Sequence, residues 1–220
     1  MSRYLALFLP LLLILAVGFI CGLFHYKRKK NLRPVIVLLG VTLVSEMLSY
    51  YLAKYYRNNM PLAHVFNPIQ LCFWSVFFYR AIDDGRIKRL ILWVTMSMLL
   101  FATLNSIFLQ PLNTFPGNFI QVETMLLILL GSYLFILRLD APSELSIFKD
   151  PMFITAIALI WFNLVSFLFF LLYAYMAKHN LPVRTLRTIH LFSNYVYYLL
   201  LLLAILLPQK KLQDAGKIQQ

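Results

Sequence analysis

The chain has 220 residues, of which 61% are hydrophobic and 13% charged, and its mean hydropathy is +0.77. These values leave too few polar side chains to cover a soluble globule, so the composition predicts an integral membrane protein. The formal net charge of +12 raises the question of a nucleic-acid partner. The basic residues are scattered over loops, where they orient membrane proteins, so we expect no nucleic-acid binding.

Seven apolar runs follow one another along the chain, each of about 18 residues or more and therefore long enough to cross the hydrocarbon layer of a bilayer. They cover residues 4–24, 34–56, 62–82, 90–108, 118–139, 152–176 and 188–207. The runs predict an all-α polytopic protein in which residues 1–220 form a single seven-helix transmembrane domain. The first run is too long for a cleaved signal peptide and no small-residue cleavage site follows it, so we expect a signal anchor.

Lysine and arginine are divided unequally between the two sides of the predicted membrane. Six lie on the side of the N-terminus and fourteen on the side of the C-terminus. Because the more basic side is normally cytoplasmic, we expect the N-terminus to lie outside and the C-terminus inside.

The two parts of the chain resemble each other in places. A shift of 121 residues aligns Leu-Val-Ser at 43–45 with the same tripeptide at 164–166, and beyond it His-Val-Phe-Asn from His64 parallels His-Leu-Phe-Ser-Asn from His190. These matches favour a parallel 3+1+3 repeat, although Leu-rich helices also align by chance. The predicted repeats are 1–82 and 118–207, and the linker helix is 90–108.

Polar side chains within predicted spans indicate a binding site, because such groups need partners inside a bilayer. Glu46 is the strongest candidate, since a carboxylate near mid-bilayer is costly unless it is paired, protonated or hydrated. We expect the polar groups to face a common centre and to form an outward-facing pocket for a small ligand. The candidate ligand-binding residues are Glu46, His64, Asn67, Gln70, Glu123, Asn163, His190 and Asn194. For His64, Asn67 and Gln70 the expectation rests on a spacing taken to keep them along one side of a helix. Asparagines and glutamines of this kind also join helices by hydrogen bonds, a structural role that stays open.

Cofactor chemistry finds little support in the residues. The seventh predicted helix contains no lysine, which excludes a retinal Schiff base. An intramembrane zinc hydrolase needs about three histidine ligands, and only His64 and His190 lie within spans. The same pair is the sole indication of a haem. We therefore expect no metal and no cofactor, and we favour a non-enzymatic role.

Two segments carry a resemblance to known proteins: LAHVFNPIQLCFWSVFFYRAI from Leu62 and IHLFSNYVYYLLLLLAIL from Ile189. Together they resemble small seven-helix bacterial membrane proteins associated with sensory gene clusters, a family without an assigned activity. The resemblance implies a multi-pass protein of the bacterial inner membrane. The predicted topology also resembles the small sugar transporters with paired triple-helix bundles, but their Pro-Gln motif is absent from the first helix of each bundle.

We expect a receptor-like or sensory protein that binds a small external ligand and signals to a cytoplasmic or membrane partner, either a separate kinase or a second copy of the chain in a homo-oligomer. The alternative is a small-solute or proton-coupled transporter, with Glu46 or Glu123 carrying the proton. A structural membrane subunit is a third hypothesis. Few mid-helix Gly or Pro residues and apolar inner helix halves favour the receptor.

Overall fold

The computed structural model describes residues 3–140, 147–179 and 181–208, and over these ranges the chain is helical without a strand. The seven helices are α1 (Arg3–His25), α2 (Arg33–Tyr55), α3 (Met60–Ala81), α4 (Gly85–Leu104), α5 (Gly117–Leu139), α6 (Pro151–Lys178) and α7 (Arg184–Leu206). The predicted all-α fold and its seven helices are thus confirmed, with helix ends shifted by a few residues. Three lysines of the charge count, Lys210, Lys211 and Lys217, lie outside the described residues.

Six of the seven helices are long and apolar enough to cross a membrane, which supports a membrane-embedded protein. The helix that falls short is α3. Its apolar length is interrupted by His64, Asn67, Pro68 and Gln70, which lower its hydropathy. By composition, therefore, six of the seven predicted spans are supported.

The helices form a ring with one helix outside it. Around the ring α1 packs on α2, α2 on α3, α3 on α5, α5 on α6 and α6 on α7, which returns to α1. Helix α4 packs mainly on α3 and makes fewer contacts with α5, so it lies at the periphery. The predicted linker helix is the one outside the ring.

Glycines let α1 and α2 approach closely. A Cβ atom at Gly22 would lie 2.7 Å from the side chain of Ile36, and one at Gly40 would lie 2.6 Å from the ring of Phe19. Small residues at helix contacts serve this purpose in membranes, where packing rather than water exclusion holds helices together.

The end of the bundle at which α7 terminates, called the C-terminal end, is tied by two basic side chains. Lys29 donates hydrogen bonds to the carbonyl oxygens of Ala204 and Leu207 at the end of α7. These carbonyls belong to the last turn, where helices leave carbonyls unpaired. Burial lowers the pKa of Lys29, and the negative charge of Asp150 opposes this effect.

The second tie at this end is Arg138. Its Nη2 donates to the carbonyl oxygen of Ala81 at 3.2 Å, and its Nε lies 3.8 Å from Oδ2 of Asp150. The ends of α3 and α5 and the start of α6 are therefore joined.

Candidate functional site

A cavity of about 290 Å³ lies inside the ring, near the starts of α3, α5 and α7. Five helices line it, namely α2, α3, α5, α6 and α7. We call this space the central cavity. The structure brings seven of the eight candidate residues to its wall: Glu46, Asn67, Gln70, Glu123, Asn163, His190 and Asn194. The structure shows that these side chains converge, and ligand binding by them stays a prediction.

Among the described residues, the two carboxyl groups of the central cavity have no cationic partner. Glu123 is only 3% exposed, and its Oε1 has no hydrogen-bond partner in the part of the chain that the structure describes. Glu46 is partly buried between Ser45 and Ser49. Neither acid forms an ion pair with any described lysine, arginine or histidine. A buried carboxyl oxygen without a partner can still accept a hydrogen bond.

His190 is held in place by α6. Its Nε2 lies 3.2 Å from Oγ of Ser166, and its ring stacks on Phe169 with centroids 4.3 Å apart. The rings of Phe162 and Phe170 lie 5.9 and 5.7 Å away. The imidazole is therefore fixed against an aromatic wall while it borders the central cavity.

Two asparagines at the cavity wall bond within their own helices. Nδ2 of Asn163 donates to the carbonyl oxygen of Leu159 at 2.8 Å, and Nδ2 of Asn194 donates to that of His190 at 2.9 Å. These bonds do not join one helix to another. Neither amide nitrogen therefore joins two helices, which is the structural role that the sequence left open.

The turn before α3, which contains Asn58 and Asn59, contributes to the same wall. Oδ1 of Asn58 accepts a hydrogen bond from the backbone N–H of Met60 at 3.0 Å, which satisfies a free donor at the helix start. Nδ2 of Asn59 donates to Oγ of Ser49 at 2.6 Å and so ties the turn to α2. Asn59 and Ser49 both line the central cavity.

His64 is the one candidate residue that does not line the central cavity. Its Nδ1 lies 2.7 Å from Oγ of Ser106, and its Nε2 lies 2.9 Å from the carbonyl oxygen of Thr114. Since a carbonyl only accepts, Nε2 is the donor. His64, Asn67 and Gln70 do not lie along one side of α3, because the six-residue step from His64 to Gln70 turns an α-helix by a net angle of about 120°. Asn67 and Gln70 reach the cavity, whereas His64 turns toward the end of α4.

Through Thr114, His64 holds the loop 110–116. The next residue, Phe115, forms part of the cavity wall and packs on Phe170 with ring centroids 5.1 Å apart. His64 therefore positions the wall of the central cavity without being part of it.

An amide network fixes the other side of this loop. It begins at a short π-helical segment, Asn105–Leu109, in which Asn105 is fully buried. Nδ2 of Asn105 donates to Oε1 of Gln110 at 3.1 Å, and the same oxygen accepts from the backbone N–H of Asn118. Such π-segments are frequent at functional sites.

A second cavity of about 240 Å³ lies between α1 and α2. Glu46, Ser49 and Asn59 line both cavities, so Glu46 lies between them. Lys54 also lines the second cavity, but its ammonium group lies 5.3 Å from the ring centroid of Tyr55 and is not within ion-pair distance of Glu46.

Several wall residues were not among the candidates. They are Ser45, Ser49, Asn59 and Ser166, together with an aromatic group comprising Phe66, Phe115, Phe162, Phe170 and Tyr198. Ser49 was recognisable, because it lies three residues after Glu46 and therefore on the same helix face, and Ser45 lies four residues before Ser49. The aromatic residues carried no such signal, since aromatic side chains occur throughout this chain.

Within the described residues, no group of three or more His, Cys, Asp or Glu side chains is placed to hold a metal ion. His64 and His190 lie in different surroundings, one bonded to Ser106 and Thr114 and the other to Ser166. Comparison with protein-family models, with curated proteins and with solved structures found no match to this chain. The function is therefore inferred from the site itself.

Proposed function

We propose that this chain is a receptor-like or sensory membrane protein that binds a small ligand in the central cavity. The observation that supports this most is the convergence of seven polar side chains, carried by five helices, on one cavity. The volume of about 290 Å³ is at the lower end of the range for small-molecule pockets. A ligand that contacts five helices can favour one arrangement of the bundle over another, and this population shift is the signal of a receptor. The partner is a separate cytoplasmic or membrane protein, such as a kinase, or a second copy of the chain.

The proposed membrane arrangement has seven spans, with the N-terminus outside, in a bacterial inner membrane. Helix α3 packs among α2, α4 and α5, so its polar residues need not face lipid, which supports it as a span despite its composition. Exposed basic residues are concentrated at the C-terminal end: Lys27, Arg28, Lys30, Arg80, Arg86 and Arg89. The positive-inside rule then favours a cytoplasmic C-terminal end.

The packing is also compatible with the 3+1+3 repeat. The contacts of α1 with α2 and of α2 with α3 correspond to those of α5 with α6 and of α6 with α7, and α3 meets α5 as α7 meets α1. Two pairs matched by the repeat line the central cavity, Ser45 with Ser166 and Asn67 with Asn194.

A transporter is the second candidate, because Glu46 borders two cavities. Transport also needs a route through the other half of the ring. That half is occupied by fully buried apolar side chains, among them Trp74, Phe77, Phe78, Leu134 and Ile205. This packing favours the receptor over the transporter.

A cavity-filling substitution tests the proposal. Ala63 lines the central cavity on α3, whereas Val65 on the same helix is 57% exposed. The purified protein is screened for thermal stabilisation by small amines, carboxylates and sugars, and Ala63→Phe is compared with the control Val65→Phe. We expect at least one compound to stabilise the unaltered protein and the control but not Ala63→Phe. Stabilisation that persists in Ala63→Phe would contradict binding in the central cavity.

Reconstituted vesicles distinguish the receptor from the transporter. The stabilising compound is offered to proteoliposomes that hold the unaltered protein or Glu46→Gln. We expect no accumulation in either case. Accumulation that depends on Glu46 would instead establish the transporter.

A further inference from the structure

We propose that the ligand of the central cavity is a small organic cation, a protonated amine whose charged nitrogen pairs with Glu123 and Glu46. This inference rests on the proposed function, because it assigns a ligand class to the same cavity. Three features support it, namely the charge of the wall, the burial of Glu123 and the aromatic rings of the same wall.

The wall of the central cavity is unbalanced in charge. It carries the carboxyl groups of Glu46 and Glu123, and none of the described residues that line it is lysine or arginine. Its one basic group, the His190 imidazole, is bonded to Ser166. An anionic ligand would meet two carboxyl groups without a counter-charge, so the wall disfavours anions.

Burial makes this imbalance significant. Glu123 is 3% exposed, lines the cavity and has an oxygen without a partner in the described structure. Lys29, which is buried to the same extent, is paired differently, since it donates to two backbone carbonyls. A buried carboxylate is stabilised when a cation pairs with it. In this proposal the ammonium group of the ligand is the cation that pairs with Glu123.

The remaining wall fits the same ligand class. Five aromatic residues line the cavity: Phe66, Phe115, Phe162, Phe170 and Tyr198. Aromatic faces attract organic cations, most strongly where water is excluded. This protein already places a cation over aromatic rings at Lys54, whose Nζ lies 5.3 Å from the ring centroid of Tyr55. Carboxylates together with aromatic rings thus form a wall suited to an alkylammonium group.

The test uses probes that are alike in shape and differ in charge. They are 3,3-dimethylbutan-1-amine, which is protonated at neutral pH, its uncharged analogue 3,3-dimethylbutan-1-ol and the anion 3,3-dimethylbutanoate. Putrescine, phenethylamine and glucose complete the set as a diamine, an aromatic amine and a polyol. Each is added to the purified full-length protein, and the thermal midpoint and dissociation constant are measured.

We expect an amine to stabilise the protein and the uncharged isostere and the anion to have no effect. In Glu123→Gln we expect the dissociation constant to rise by about 10- to 100-fold, the loss that follows when a charge-assisted bond becomes a neutral one. Glu46→Gln provides a second variant if Glu123→Gln fails to fold. Asp83→Asn is the control, because it removes an exposed carboxylate at the C-terminal end.

The possible outcomes distinguish failure of the cation inference from failure of the receptor proposal on which it rests. If the alcohol, the anion or glucose binds as well as the amines, and Ala63→Phe abolishes that binding, the cavity is a ligand site but the cation inference is wrong. If an amine binds with equal affinity to Glu123→Gln and Glu46→Gln, the inference is also wrong. If no probe of any class binds, or if binding survives Ala63→Phe, the inference and the central-cavity receptor both fail.

Discussion

The two ends of the ring bury charged groups in opposite ways. Lys29 at the C-terminal end and Glu123 at the central cavity are each 3% exposed. Lys29 donates to two backbone carbonyls of α7, whereas Glu123 has a carboxyl oxygen without a partner among the described residues. The two groups thus have equal burial and unequal pairing, and under the proposed function the free oxygen of Glu123 is the atom that a ligand contacts.

The difference has an energetic side. An unpaired buried polar group costs about 1–3 kcal/mol, and a charged group costs more. Burial of the unpaired Glu123 carboxyl group in the central cavity therefore costs free energy, and a ligand that pairs with this group lowers that cost. Toward the C-terminal end, the interior of the described ring contains the buried aromatic rings of Trp74, Phe77 and Phe78, which pack on one another.

The largest effect is expected where the packing is tightest. Phe77 is fully buried, with ring centroids 5.5 Å from Trp74 and 5.3 Å from Phe78. Phe77→Ala should destabilise the protein by about 3–5 kcal/mol, because it removes packing contacts and leaves a void. Denaturation of the purified protein measures the change. The matched control Phe24→Ala, at a residue 82% exposed, should change stability much less. Equal losses in both variants would show that the buried ring of Phe77 contributes no more to stability than an exposed ring.

A smaller effect of opposite sign is expected at the cavity end. Glu123→Leu removes the unpaired carboxyl group, and replacing a buried charge by an apolar residue of similar size is often stabilising. We expect a gain of about 1–2 kcal/mol together with the loss of ligand binding. The control Asp83→Leu, at an exposed site, should leave stability within about 0.5 kcal/mol. A marked loss of stability in Glu123→Leu would show that this carboxyl group is structural.

The sequence predicted the helices and seven of the polar residues on the cavity wall for one physical reason. Apolar runs define helices in lipid, and the polar residues within them must face inward, which is where Glu46, Glu123 and Asn163 lie. This reasoning gives depth along the chain but not direction around a helix. His64 shows the limit, since its direction depends on how α3 rotates against α4. The aromatic wall had no recognisable pattern either.

The smallest expected effect concerns the loop 110–116. His64 anchors it through the carbonyl oxygen of Thr114, and Phe115 beside it forms part of the cavity wall. His64→Ala removes this anchor, while the amide network of Asn105 still holds Gln110. We expect faster hydrogen exchange in residues 110–116 and global stability lower by about 1 kcal/mol, the net value of a typical hydrogen bond.

Hydrogen exchange in residues 110–116 distinguishes anchoring of the loop from binding of the ligand. His25→Ala is the matched control, since its Nδ1 lies 2.9 Å from the carbonyl oxygen of Cys21 at the C-terminal end and contacts neither the loop nor the cavity wall. It should leave exchange in 110–116 unchanged. If His64→Ala weakens ligand binding and loosens the loop together, His64 acts on the site by positioning Phe115. If binding is lost while exchange in 110–116 stays unchanged, His64 contacts the ligand directly, and the rotation of α3 described here is wrong.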